Sequence, residues 1–138
     1  MHRFYLPPER CRHSTLELTD DEAQHALRVL RIQPGERITV LDGAGHQLNC
    51  EVRAATKRTL TLDMQHKTFS PPLPCQITLL QAVPKAKAMD YIVQKATELG
   101  AARVVPILAE RTVIHLDGEA AGDKAEKWQQ IALESIEQ

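Results

Sequence analysis

Apolar and polar positions alternate through much of the first half of the chain. Ile38 and Val40 share one side of residues 37–41, and Leu48, Cys50 and Val52 share one side of 47–54. Leu60, Leu62 and Met64 do the same in 59–64. A period of two predicts half-buried strands. Residues 3–6 and 15–18 are shorter β-prone pieces, and Asp42-Gly43-Ala44-Gly45 is a hairpin signal. One helix interrupts this series. Thr19 is placed as its N-cap and Glu22 as the capping-box partner, with Ala23, Ala26, Leu27 and Leu30 facing inward and Pro34-Gly35 ending it. Many short strands around one helix predict a small barrel that closes its own edges.

The period changes after the proline-rich stretch 67–74, the best boundary candidate. Residues 76–83 form a near-continuous apolar run, as a buried parallel strand requires. Residues 89–99 carry Met89, Ile92, Val93, Ala96 and Leu99 at helical spacing, and Gly100 is a natural stop. A β-rich run, 103–108, contains Pro106, which hints at a bulge or edge. Residues 123–138 read as a second helix with Ala125, Trp128, Ile131, Ala132 and Ile136 inward. The order strand, helix, strand, helix predicts an α/β layer with a parallel sheet. The whole is α/β, or α+β overall, in two domains, 1–72 and 73–138. Two strands and two helices cannot cover both faces of a sheet, so the layer is expected to be truncated.

Composition adds little. Apolar residues make up 43% and charged residues 25% of the 138 positions, as in ordinary globular chains. No window has the apolar length of a membrane span, and nothing resembles a signal peptide. Cys11, Cys50 and Cys75 fit no disulfide framework and read as thiols of a reducing cytosol. The six histidines show no metal-ligand spacing, so no metal site is expected. Net charge is −1, with 10 Lys/Arg against 9 Asp/Glu in residues 1–72 and 7 against 9 in 73–138. Any contact with nucleic acid therefore rests on local patches.

Three clusters carry chemistry. Arg28 and Arg31, three apart on the first helix with His25 and Arg37 nearby, can hold two phosphates bidentately. A solvated helix face is the competing reading. Lys85 and Lys87 follow the buried strand, where ligands sit in open α/β sheets; a polar loop followed by a helix is the competing reading. Gln94, Lys95, Glu98 and Arg111 form the third; a Glu98–Arg111 pair is more often structural than catalytic. Arg53, Lys57 and Arg58 lie near a turn and extend a basic edge. The chain shows no nucleophile, P-loop, GxGxxG or metalloprotease motif.

Residues 79–116, and above all QKATELGAARVVPILAERT at 94–112, resemble the start of the methyltransferase domain in the RsmE family. HALRVLRIQPGERITVLDG at 25–43 resembles the N-terminal domain of the same family, and KWQQIALESIEQ at 127–138 is similar too. The resemblance implies a PUA-like RNA-binding barrel followed by the first βαβα part of a SPOUT-type trefoil-knot domain. It implies methylation of N3 of a uridine in 16S ribosomal RNA with S-adenosylmethionine, by a cytoplasmic homodimer. In that light Arg28, Arg31, Lys85 and Lys87 are expected to bind RNA, and Glu98 and Arg111 to shape the catalytic wall. The family's loop alternates charge differently from Lys85-Ala86-Lys87-Ala88. Its glycine-rich cofactor loop has no counterpart through Gln138, so cofactor-binding residues are expected beyond that point. A non-catalytic RNA-binding module is the alternative.

Overall fold

The computed structural model describes residues 2–85, 87–110 and 118–137. The chain divides into two compact units, Met1–Pro71 and Pro72–Ile136.

The first unit is a curled five-stranded sheet. Its strands are β1 (Arg3–Tyr5), β2 (Thr15–Leu18), β3 (Arg37–Leu41), β4 (His46–Ala55) and β5 (Leu60–Phe69). Their order is β1-β3-β4-β5-β2, with β1 parallel to β3 and the other pairs antiparallel. Among the described residues no ladder joins β1 to β2, so the sheet curls round its core without closing by hydrogen bonds. The alternation read from the sequence lands on the inner face: Ile38, Val40, Leu48, Cys50, Val52, Leu60 and Leu62 are buried with Phe4, Leu6, Leu16 and Leu18. Each fully buried aliphatic or Phe side chain contributes about 1.5–3 kcal/mol. β5 runs to Phe69, beyond the expected end at 64, because its last turns pair with the start of β4 through Phe69 and His46. A 3-10 turn, Pro8–Cys11, which the pattern did not suggest, puts Cys11 into the core.

The hairpin between β3 and β4 forms as expected. Asp42, 3% exposed, accepts the backbone N–H groups of Ala44 and His46 and the His46 ring at 2.7 Å. Gly45 has φ +94°, and a Cβ there would lie 2.8 Å from the Ser70 carbonyl. Only glycine fits that position without strain.

The helix departs from expectation. α1 is short (Asp20–Gln24), and the chain continues as a π-helical turn, His25–Val29, in which Leu30 N–H reaches the His25 carbonyl five residues back. Thr19 makes no side-chain cap: its hydroxyl donates to Asp20 Oδ2 at 2.8 Å and accepts from Arg10. The capping-box hydroxyl is engaged sideways and does not reach the helix amides. Ala23 and Ala26 are buried as read, and Leu27 and Leu30 pack against the same core.

The second unit pairs β6 (Thr78–Ala82) with β7 (Arg103–Ile107) in parallel, and packs α2 (Ala88–Glu98) against α3 (Gly118–Ile136). Pro106 sits opposite Gln81 in this two-stranded sheet, where every strand is an edge. Gly100, φ +86°, ends α2 in a Schellman arrangement: its N–H goes to Thr97 O and that of Ala101 to Ala96 O. The core is Val83, Met89, Val93 and Trp128, with Val104, Ile131 and Ala132 against it. Three expectations fail here. β6 is not buried, since Leu80 is 64% exposed, because the described residues cover only part of the two-stranded sheet. Leu99 points outward, being already past the last helical residue. α3 starts five residues earlier than 123, and Ala125 is exposed, because Trp128 sets the phase of the inner stripe and Ser135 occupies it two turns further on.

Candidate functional site

The π-helical turn decides where the first cationic pair points. Arg28 lies in the turn, and Arg31 lies beyond its end with φ 55°. They are therefore not neighbours on an α-helical face, as their spacing suggested. Both are exposed, and neither side chain makes a hydrogen bond or ion pair among the described residues. A left-handed arginine costs about 1–2 kcal/mol relative to glycine, and it is held by Ile32, which is buried and donates its N–H to Ala26 O. Val29, 66% exposed, stands between the two arginines. His25, exposed, lies edge-on to Phe4 with ring centroids 6.4 Å apart. Arg37 opens β3 on the outer face.

The basic edge near the β4–β5 turn is partly engaged. Arg53 forks onto Asp63, Nε to Oδ2 and a terminal nitrogen to Oδ1, both at 2.7 Å. Lys57 and Arg58 sit exposed on a turn pinned by Thr56 and Thr59.

In the second unit, Lys85 and Lys87 follow the carboxyl end of β6; Lys87 precedes α2, and both are exposed. Ala86 between them lies outside the described residues. Glu98 accepts both of its short contacts, 2.7 and 2.9 Å, from Lys95, whose ammonium also lies 5.8 Å from the Tyr91 ring. The hydrogen bond to Glu98 holds the Lys95 pKa above its ordinary value. Arg111, the expected partner of Glu98, lies outside the described residues. Gln94 lines a surface cleft with Lys87, Asp90, Tyr91, Ile131, Glu134 and Ser135.

Asp90 had drawn no attention in the sequence. Its carboxylate binds Lys127 and accepts the Trp128 indole N–H at 3.1 Å, tying α2 to α3. The Lys127 hydrogen bond, ahead of an opposing effect of burial, lowers its pKa. Asp42 is lowered too: burial opposes this, but the His46 and Ala44 amides and the His46 ring outweigh it. The thiols do not provide a nucleophile in the cores. Burial pushes Cys50 up to about 12 and raises Cys11, while Cys75 is exposed and free. Among the described residues no group of three His, Cys, Asp or Glu is placed to hold a metal, and no helix is long and apolar enough to cross a membrane.

Two protein families match the chain in succession: an RNA methyltransferase PUA domain over residues 18–65 and an RNA methyltransferase domain over 71–138. Curated relatives called ribosomal RNA small subunit methyltransferase E include one from Aquifex aeolicus, 37% identical over all of this chain and 58% of its own length. One from Bacillus subtilis is 32% identical over 90% of this chain and 49% of its own. A crystal structure of the Neisseria gonorrhoeae methyltransferase E bound to S-adenosyl methionine superposes with TM-score 0.88 at 34% identity, over 99% of this chain and 57% of that one. A Legionella pneumophila methyltransferase with bound S-adenosyl methionine gives TM-score 0.88 at 29% identity, over 98% and 56%. The chain thus spans about half the length of the curated relatives it matches.

Proposed function

The chain belongs to the ribosomal RNA small subunit methyltransferase E family, and on that footing we propose that the protein methylates N3 of a uridine in 16S ribosomal RNA with S-adenosylmethionine as donor. The observation that carries this is the succession of an RNA methyltransferase PUA domain and an RNA methyltransferase domain along one chain, on a matching fold. We assign RNA binding to residues 1–72 and the methyltransferase part to 73–138. A homodimer working in the cytoplasm belongs to the same proposal.

Chemistry constrains the reading. N3 lies on the Watson–Crick edge of uridine, so the base must be unpaired or flipped out. N3 also carries a proton that must leave as the methyl group arrives, and a positioned base or a site favouring the N3 anion provides for that. The exposed cations Arg28, Arg31, Lys85 and Lys87 are assigned to phosphates, and Glu98 and Arg111 to the wall of the active site. The cofactor supplies an electrophilic methyl group on sulfonium. The cleft beside α2 is lined mainly by polar and charged groups, with Glu134 and Asp90 in its wall, and is not assigned to the cofactor. No step is derived through it.

A second reading, an RNA-binding module without catalysis, draws on the self-contained core of the first unit beside its unpaired arginines. The test is transfer of labelled methyl from S-adenosylmethionine to small ribosomal subunits, followed by nucleoside mass spectrometry. N3-methyluridine is the expected product. RNA binding without transfer by the full-length protein selects the second reading.

A further inference from the structure

A cleft of about 310 Å³ opens on the outer face of the first unit, lined by Arg37, Asn49, Cys50, Glu51, Gln65 and His66. The register explains it. Asn49 pairs with His66 and Cys50 with Met64, so Gln65 is an extra residue bulging from β5. Arg37 stands opposite Glu51 across β3 and β4, and Thr39 opposite Asn49. Three adjacent strands thus turn a carboxylate, a guanidinium, two amides and an imidazole toward one concavity.

These groups are unspent. Arg37, Glu51, Gln65 and His66 make no side-chain hydrogen bond or ion pair among the described residues. Asn49 Oδ1 accepts the Thr39 hydroxyl at 3.3 Å, which leaves the Asn49 amide N–H groups to donate. The neighbouring Asp63 is occupied by Arg53, so Glu51 is the carboxylate left for a ligand. A carboxylate in the wall disfavours a phosphate and suits a base that offers adjacent N–H donors.

Building on the RNA-binding reading, we propose that this cleft holds an unstacked guanine of single-stranded RNA. Guanine alone among the four bases sets N1–H beside an exocyclic N2 amine, a donor pair that a carboxylate accepts in parallel. Arg37 then donates to O6, the Asn49 and Gln65 amides serve the remaining edge, and the His66 ring offers a stacking face. Adenine would set its N1 lone pair against Glu51, and uracil offers a single N–H.

The test is fluorescence anisotropy of the whole chain with labelled oligouridylates carrying one central guanine, inosine or adenine. Guanine is expected to bind at least about fivefold more tightly than adenine, and inosine, lacking the N2 amine, to lose most of that gain. Glu51→Gln should abolish the preference for guanine over adenine. Equal affinity for the three oligonucleotides overturns the guanine site and leaves RNA binding standing. A preference that survives in Glu51→Gln overturns it as well. No affinity for any of them overturns the RNA-binding reading itself, and this site with it.

Discussion

Among the described residues, fifteen buried side chains make the core of the first unit, against four in the second. The first unit's strands alternate cleanly, and their apolar faces meet one another. The second leaves Leu73, Ile77, Leu80, Tyr91, Leu99, Ile107 and Leu108 exposed, although its sequence is as apolar as a strand buried on both faces. A sheet with one half-covered pair of strands draws little stability from such residues, whereas a curled sheet uses each of its inner positions. The first unit is therefore expected to hold its shape by itself, and the second to depend on the α2–α3 contact and the Asp90 clamp.

The largest expected effect lies in the first core. Phe4→Ala, at a fully buried position, should cost about 3–5 kcal/mol in urea unfolding. A cost under about 1 kcal/mol would show that this core is not the stabilising centre. Next is Gly45→Ala, which meets the Ser70 carbonyl and a left-handed φ together; about 2–3 kcal/mol of destabilisation is expected by the same measurement.

In the second unit, Lys127→Met removes one partner of the Asp90 clamp, at a largely exposed site, for about 0.5–1 kcal/mol. The pH dependence has a definite sign. The folded Asp90 pKa lies below its ordinary 3.8, so this stabilisation is present above about that pH and is lost as pH falls through the depressed value. An acid titration of α-helical signal should flatten in Lys127→Met; an unchanged profile would remove the clamp from the account. The smallest effect separates stability from binding. Arg31→Gly relieves the left-handed backbone and should raise stability by up to about 1 kcal/mol while weakening RNA binding. A variant that loses both would make Arg31 structural.

The strands of the first unit were legible because alternation is a strong signal when one face is buried. The Asp42–Gly45 hairpin and the Gly100 stop were legible because positive φ demands particular residues. The π-helical turn was not, since Ala23, Ala26, Leu27 and Leu30 satisfy helical spacing whether hydrogen bonds span four residues or five. The exposure of Leu80 was hidden for a different reason: an apolar run states that a strand wants cover, not which atoms provide it. Within the candidate site, the cations were visible as residue types, but the left-handed turn at Arg31 and the bulge at Gln65 were not. A bulge shifts register by one residue, and Met64-Gln65-His66 shows it only as a faltering alternation.

We propose that the first unit grips ribosomal RNA through Arg28 and Arg31. Its most direct test is the affinity of the chain for a single-stranded 16S RNA segment as a function of salt, alongside the double variant Arg28→Ala, Arg31→Ala. Loss of two phosphate contacts should lower affinity and reduce the slope of log K against log salt by about 1.4. An unchanged slope in the double variant would contradict the account.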